Sequence, residues 1–243
     1  MEQYILQQGT VSLDDLTKYF KVSTNTIRRD VSELLERGRI QKVYGGVSAL
    51  EDTRLLPMSV RSTIHESEKK AIGQMAAGTV NNGDTVFLDS GSTVLYSIPY
   101  LAKLEGITIV THSLPAMYEA SKYSTLKVIS LGGLYNPSTS SYVGISTLDA
   151  LSCICTDAVF IAATGVSLEK GLTNTTYFEA DIKRNVVKSS KKIILVADHT
   201  KFDHNSTISF FNFQDLHTVV TDECPSAKYL DTIQSNNINL LCR

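Results

Sequence analysis

Residues Val22 to Val47, VSTNTIRRDVSELLERGRIQKVYGGV, restrict what this chain can fold into more than any other stretch. Ser23 is placed to accept from one of the first free backbone N–H groups of a helix. Ile27, Val31, Leu34 and Leu35 then share one helical face, and Gly38 is a natural stop. Thr24, Asn25, Arg28 and Ser32 lie off that face. A helix that buries one stripe and shows Thr, Asn and Arg near its start suits the major groove of DNA. There Arg pairs with guanine edges, Asn with adenine, and Thr with methyls or phosphates. Ser23, Thr26 and Arg29 complete the contact set expected on this helix. The plain alternative is an ordinary surface helix, since Arg and Asn are common outside.

The flanking residues tell against that alternative. Ser12-Leu13-Asp14-Asp15 reads as the start of a short helix to about Phe20, whose Leu16 and Phe20 can pack on the next helix. Lys21-Val22-Ser23 is the tight turn between the two, and Tyr4-Ile5-Leu6 reads as the tail of a helix before them. Beyond Gly38, Ile40, Lys42 and Tyr44 alternate with Gln41 and Val43, and Gly45-Gly46 permits a reversal into Val47-Ser48-Ala49. Two short strands behind a helix-turn-helix make a wing that lies along phosphates, with Arg39, Lys42 and Tyr44 as the expected contacts. Between residues 21 and 44 the basic residues exceed the acidic by three, although the whole chain carries a net charge of −2. That local excess is what attracts phosphate. It is modest, so two or more copies reading repeated half-sites are expected.

A length of 243 residues allows one large or two modest domains, and 42% hydrophobic with 20% charged residues describes a soluble chain with a packed core. No apolar run approaches the ~20 residues of a membrane span and no signal peptide opens the chain, so a cytoplasmic location is expected. Cys153 and Cys155 are close, but Cys-x-Cys lacks a second pair at zinc-finger spacing. Together with Cys224 and Cys242 they read as reduced thiols. The five histidines form no HxxxH-like pair, and no metal is expected. Residues 51–64 show no clear periodicity and read as a linker between a winged helix-turn-helix at 1–50 and an effector-sensing, oligomerising domain at 65–243.

From about His65 the pattern alternates helix and strand. Ala71, Ile72, Met75, Ala76 and Val80 make a helical stripe. Short apolar runs recur at residues 86–88, 107–110, 128–131, 158–161, 193–196 and 219–220, rich in Val and Ile. Continuous apolar strands covered on both faces by helices imply a largely parallel α/β sheet. Pro99 predicts a short or kinked helix after the first strand.

Ligands of such sheets bind beyond the carboxyl ends of the strands. Asp89-Ser90-Gly91-Ser92-Thr93 stands at the first of these ends. Gly91 admits close backbone approach, and free N–H groups and hydroxyls favour a phosphate. Asp89 would repel a phosphate and suits sugar hydroxyls instead. A plain Ser-rich helix cap fits the motif equally. Thr111-His112-Ser113 ends the next strand, with Pro115 near a helix start, and Gly165 follows Ala163-Thr164 after another. Glu179 and Lys183 stand i,i+4 on a helix: a surface ion pair of a few tenths of a kcal/mol, or a carboxylate for sugar hydroxyls beside an ammonium for phosphate. Asp198-His199-Thr200-Lys201-Phe202 ends the strand at 193–196.

Val22-Ser23, Thr26-Ile27-Arg28-Arg29-Asp30, Leu35, Gly38 and Gly45-Gly46 resemble the N-terminal domain of DeoR-type repressors. The family carries a longer, often basic stretch before its first helix, so an upstream start or weakened DNA binding is expected. Asp89-Ser90-Gly91-Ser92-Thr93, Leu131-Gly132-Gly133, Gly171-Leu172-Thr173, Glu179-x-x-x-Lys183-Arg184 and Asp198-His199-Thr200-Lys201-Phe202 are similar to its sensor domain. The resemblance implies a repressor of a sugar-metabolism operon, released from a double-stranded DNA operator by a phosphorylated sugar. It also implies a fold related to ribose-5-phosphate isomerase. His112 departs from the family's common Asn, which changes the sugar accepted or makes binding pH-sensitive. An isomerase would need strand-end carboxylates where this chain has Ala162-Ala163-Thr164-Gly165, so no catalytic residue and no cofactor are expected. The alternatives are an isomerase-like enzyme or a sensor with degenerate DNA binding. A homo-oligomer, dimer or tetramer, is expected.

Overall fold

The structure, a computed structural model, describes residues 1, 4–5, 8, 10–36, 40–43, 45–49 and 58–243. It divides into two compact units, Met1–Thr63 and Ile64–Arg243.

In the first unit, strand β1 (Thr10–Val11) precedes helices α1 (Leu13–Phe20) and α2 (Thr24–Glu36) and strands β2 (Ile40–Val43) and β3 (Gly46–Ala49). Helix α3 (Met58–Thr63) closes it. Ser12 caps α1, accepting from the Asp15 N–H at 3.0 Å and donating to its carboxylate at 2.7 Å. Lys21, in the left-handed region at φ 53°, ends α1 and turns the chain toward α2. Ile5, Val11, Leu16, Ile27, Val31, Leu34, Ile40 and Val47 form one buried cluster, each such side chain contributing about 1.5–3 kcal/mol. The wing has a strand that sequence did not reveal: β1 pairs antiparallel with β3, Val11 opposite Val47, giving the order β1-β3-β2. Two residues are too few to show a period. The expected linker is also shorter than 51–64, because Met58–Thr63 is helical. Six residues span less than two turns and leave no stripe to read. Residues 51–57 of that linker, with Gly38, Arg39 and Tyr44, lie outside the described residues.

The second unit opens with α4 (Glu66–Ala77), β4 (Thr85–Leu88), α5 (Ile98–Leu101), β5 (Thr108–Thr111), α6 (Leu114–Ala120) and β6 (Lys127–Ser130). A hairpin of β7 (Leu134–Asn136) and β8 (Ser141–Val143) leads to α7 (Ile145–Ser152) and β9 (Thr156–Ile161). Then follow β10 (Gly165–Ser167), β11 (Gly171–Asn174), α8 (Tyr177–Lys188), β12 (Ser190–Val196) and β13 (Ile208–Phe211). The chain ends with β14 (Thr218–Val220), α9 (Ala227–Ser235) and β15 (Asn239–Leu241). Seven parallel strands lie in the order β15-β14-β12-β9-β4-β5-β6. All six apolar runs fall in this sheet. Alternate residues feed two cores: Val86, Leu88, Phe160 and Ile194 pack with Ile72, Leu101 and Ala116, while Phe87, Val159 and Leu195 pack with Leu151, Ile182 and Tyr229. Helices α4, α5 and α6 therefore supply one core and α7, α8 and α9 the other, as a doubly wound sheet requires. Pro99 stands in the four-residue α5, which continues a 3-10 turn at Val94–Ser97.

Sequence did not reveal the antiparallel sheet β10-β11-β13, nor β15. Missing β15 explains a second correction. Cys224 and Cys242 are not free thiols but a disulfide, because adjacent parallel strands β14 and β15 end side by side and bring their Cα atoms to 5.3 Å. Cys153 and Cys155 are free and exposed.

One glycine fixes how closely α4 can approach the turn after β4. A Cβ on Gly73 would stand 2.4 Å from the Tyr96 carbonyl carbon and oxygen. Gly73→Ala gains about 1 kcal/mol in helix propensity and loses about 1–3 kcal/mol to overpacking. The thermal midpoint of the variant is expected to fall; an unchanged or higher midpoint refutes the contact.

Candidate functional site

The helix-turn-helix presents its polar face as its capping dictates. Ser23 accepts from the Thr26 N–H at 3.2 Å, and their hydroxyls lie 2.9 Å apart, so both side chains are engaged in the cap. With Ile27 and Val31 turned inward, Thr24, Asn25, Arg28 and Arg29 are exposed. Arg29 stands 3.8 Å from Asp30 and is 82% exposed. Arg28 has no ion-pair partner among the described residues. Lys42 is exposed on β2.

In the second unit the chain runs from β4 outward to β6, then crosses to β9 and builds outward the other way. The switch point lies between β4 and β9, where ligand crevices of such sheets open. Asp89 ends β4 here with no exposed surface. Its Oδ2 accepts from the Ala162 N–H at 2.9 Å and from the Lys183 ammonium. Lys183 comes from α8, donates also to the Ala162 carbonyl at 2.6 Å and lies over the Phe210 ring.

Glu179, one turn earlier on α8, does not pair with Lys183. Its Oε1 accepts from Ser90 at 3.0 Å and its Oε2 from Asn174 at 2.8 Å, and Asn174 accepts from Thr164 at 2.6 Å. The expected i,i+4 surface pair is therefore corrected. Both side chains are buried and each turns to a different long-range partner, because α8 lays this face on the strand ends. Lys183 holds Asp89 rather than standing open for a phosphate, and Glu179 has no free oxygen.

His112, also without exposed surface, is gripped by β8: the Tyr142 N–H donates to its carbonyl at 2.8 Å, and its Nδ1 lies 2.9 Å from the Tyr142 carbonyl oxygen. A carbonyl only accepts, so Nδ1 carries the proton. The other ring nitrogen, Nε2, stands 3.6 Å from Asp89 Oδ1, too far for a hydrogen bond. These two atoms are the buried side-chain polar atoms left without a partner among the described residues. Beside them, Ser92 and Thr93 are buried, and no protein group among the described residues engages their hydroxyls. Thr111 and Ser113 serve the backbone, the first donating to the Leu88 carbonyl at 2.6 Å and the second capping α6. Gly91 lies where a Cβ would meet that of Ala162 at 2.2 Å.

Two expected residues stand apart. Gly165 begins β10, and a Cβ there would meet the His204 carbonyl oxygen at 2.5 Å, so its smallness serves packing. Lys201, half-buried, follows β12, two strands and about 10 Å from the end of β4. Sequence reasoning missed Asn174, Thr164, Ala162 and Phe210, which only the fold brings together. Further along the edge, His199, Asp222 and Glu223 hold metal-capable atoms within 4.8 Å of one another. Asp222 already accepts from the His199 N–H at 2.7 Å and lies 2.6 Å from its ring nitrogen, which accounts for the arrangement.

Burial pushes the Asp89 carboxyl up, but the Lys183 ammonium and the His112 ring outweigh it and hold Asp89 well below the usual carboxylate range. A depressed carboxylate stabilises fully above its unfolded value of about 3.9 and loses that contribution as pH falls toward its folded value. Asp89→Asn leaves Lys183 buried without its counter-charge and is expected to cost about 3–5 kcal/mol at neutral pH. In denaturant titrations the gap to the parent should narrow by about 1 kcal/mol between pH ~5 and pH ~3. An equal gap at both would show that the fold does not depress the Asp89 carboxyl, and a wider gap at the lower pH that it is protonated in the fold.

Residues 64–223 match the family described as DeoR C terminal sensor domain, and residues 1–53 match the DeoR-like helix-turn-helix domain. Among solved structures, ribose 5-phosphate isomerase A from Methanocaldococcus jannaschii aligns over 56% of this chain and 54% of that chain, at 18% identity and a TM-score of 0.42. The glycerol-3-phosphate regulon repressor of Escherichia coli (strain K12) is 29% identical over 241 residues, 99% of this chain and 96% of that protein. The HTH-type transcriptional regulator IolR of Bacillus subtilis (strain 168) is 37% identical over 240 residues, again 99% of this chain and 96% of that protein. On the two family matches and these full-length relatives, the chain belongs to the DeoR family of transcriptional regulators.

Proposed function

We propose that this regulator is a repressor of a sugar-metabolism operon, released from its operator when a phosphorylated sugar or polyol occupies the carboxyl edge of the sheet at β4. The observation that carries the reading is the pair of buried, unpartnered atoms at the switch point, Asp89 Oδ1 and His112 Nε2. With its Nδ1 engaged by the Tyr142 carbonyl, His112 turns an unpartnered Nε2 toward the unpartnered carboxylate oxygen. The carboxylate oxygen calls for a donor, and a sugar hydroxyl, which both donates and accepts, can bond it and the neighbouring Nε2 together. The Ser92 and Thr93 hydroxyls and the backbone around Gly91 are donors for a phosphate. The Escherichia coli relative is named for the glycerol-3-phosphate regulon, and glycerol 3-phosphate is a compound of this chemistry.

Binding without turnover fits the same geometry. Aldose–ketose isomerisation needs a free base beside the carbonyl and an acid at its oxygen. Asp89 is held by Lys183 and Ala162, and both Glu179 oxygens are engaged. The ligand acts by stabilising the arrangement that does not grip the operator, and shifts the population by no more than its differential affinity. The first unit reads the operator through Thr24, Asn25, Arg28 and Arg29, with Lys42 on phosphate, and a homo-oligomer supplies the second reading head.

Two experiments test this. Ser92→Ala combined with Thr93→Val removes the free hydroxyls while sparing the buried network. Each hydrogen bond to a charged group is worth about 1.5–3 kcal/mol. The double variant should therefore bind operator normally and need at least tenfold more phosphorylated ligand for release. The screen is a thermal shift with phosphorylated sugars and polyols beside their free forms and inorganic phosphate. If phosphorylated compounds neither raise the midpoint nor release operator, or are turned over, the sensor reading falls. Arg28→Ala should cost about 1–3 kcal/mol at the operator and relax specificity at one base position; equal loss on all sequences would assign Arg28 to phosphate instead.

A further inference from the structure

At the β6 edge of the seven-stranded sheet no further strand is paired among the described residues. Strand β6 pairs with β5 on one side only, and all four of its residues are exposed, in contrast to the buried strands beside it. Parallel sheets normally have both faces sheltered, and an open edge with apolar side chains invites another strand or surface. On β6 these are Val128 and Ile129. The hairpin that follows adds Leu134, 67% exposed, and Tyr135. Ile145, at 78%, begins α7 directly after Gly144, whose position lies against Leu134. Helix α6 contributes Leu114 and Tyr118, and the hairpin is tied to it by the Leu114 N–H donating to the Ser140 carbonyl at 3.0 Å.

We propose that this face, formed by β6, the β7–β8 hairpin and the adjoining ends of α6 and α7, is the surface through which two copies of the chain pair. Charge selects the occupant. Residues 128–148 contain no Asp, Glu, Lys, Arg or His, in a chain of which 20% is charged. A two-fold pair sets the same patch against itself, so a charged patch would meet like charge, whereas on this strand and hairpin Lys127, at the start of β6, is the one charged residue. Nucleic acid would require the opposite composition. Area agrees: the exposed fractions of these side chains amount to on the order of 700 Å² per copy, against about 800 Å² per partner in a standard stable interface. Glu119 and Lys122, paired at 2.6 Å beside Tyr118, supply the polar rim such interfaces carry.

The inference deepens the proposed function, since two half-sites need two reading heads, but its test does not depend on any ligand. The full chain is weighed by light scattering and sedimentation over a range of concentrations. The parent is expected at twice the chain mass or a multiple of it. Ile129→Arg with Leu134→Arg should halve the mass at concentrations where the parent stays paired, without loss of helical circular dichroism. Leu230→Arg, an exposed apolar residue on α9 away from this face, should leave the mass unchanged. A parent that is monomeric at tens of micromolar, or a double variant that keeps the parent mass, overturns the proposal. If the double variant unfolds, Tyr118→Glu and Ile145→Glu, both on exposed helix positions, serve in its place under the same criteria. Failure of the sensor reading looks different: no phosphorylated compound shifts the midpoint, while pairing and its disruption are as described.

Discussion

The Lys183–Asp89 contact organises the second unit's functional edge. Burying two opposite charges is expensive, and their mutual attraction offsets the loss of water only when the remaining bonding capacity is filled. Here the Ala162 backbone fills it from both sides, its N–H serving the carboxylate and its carbonyl serving the ammonium. The contact thus joins the ends of β4 and β9 to the middle of α8. Once α8 is drawn to the switch point, Glu179 one turn away can reach Ser90 and Asn174. A single charge pair so determines the position of the loop after β4 and leaves one carboxylate oxygen aimed at His112.

A ligand site at this edge, as proposed, would select by what the fold leaves unsatisfied. A ligand that presents a hydroxyl to Asp89 Oδ1 or His112 Nε2 satisfies a group that otherwise stays buried and unpaired. One that presents a methylene there does not, and that asymmetry discriminates more sharply than added apolar contact.

The legible parts of the chain were those with a long enough period or a short enough range. The recognition helix carries its cap, stripe and stop within residues 23–38, and each of the six apolar strand runs carries enough Val and Ile to stand out. Strand β1, with two residues, and β15, with three, carry no such signal, and with β15 went the pairing of Cys224 and Cys242. Within the site, Asp89, Ser90, His112, Glu179 and Lys183 could be marked because each lies at a strand end or on the following helix. Their partners could not be marked, since Glu179 and Lys183 look like neighbours on a helix and only the packing of α8 separates them. Asn174 and Thr164 come from an antiparallel hairpin that has no periodicity of its own.

The two borders of the seven-stranded sheet are unlike. At one, the short β15 is fastened by a covalent bond between Cys224 and Cys242; at the other, β6 is bare and apolar. A sheet with two receptive borders could join head to tail without end and grow as a filament. The outer side of β15 is unpaired as well, but a face at β6 that meets its own copy about a two-fold axis would be used up by that one union, so growth through it would stop there.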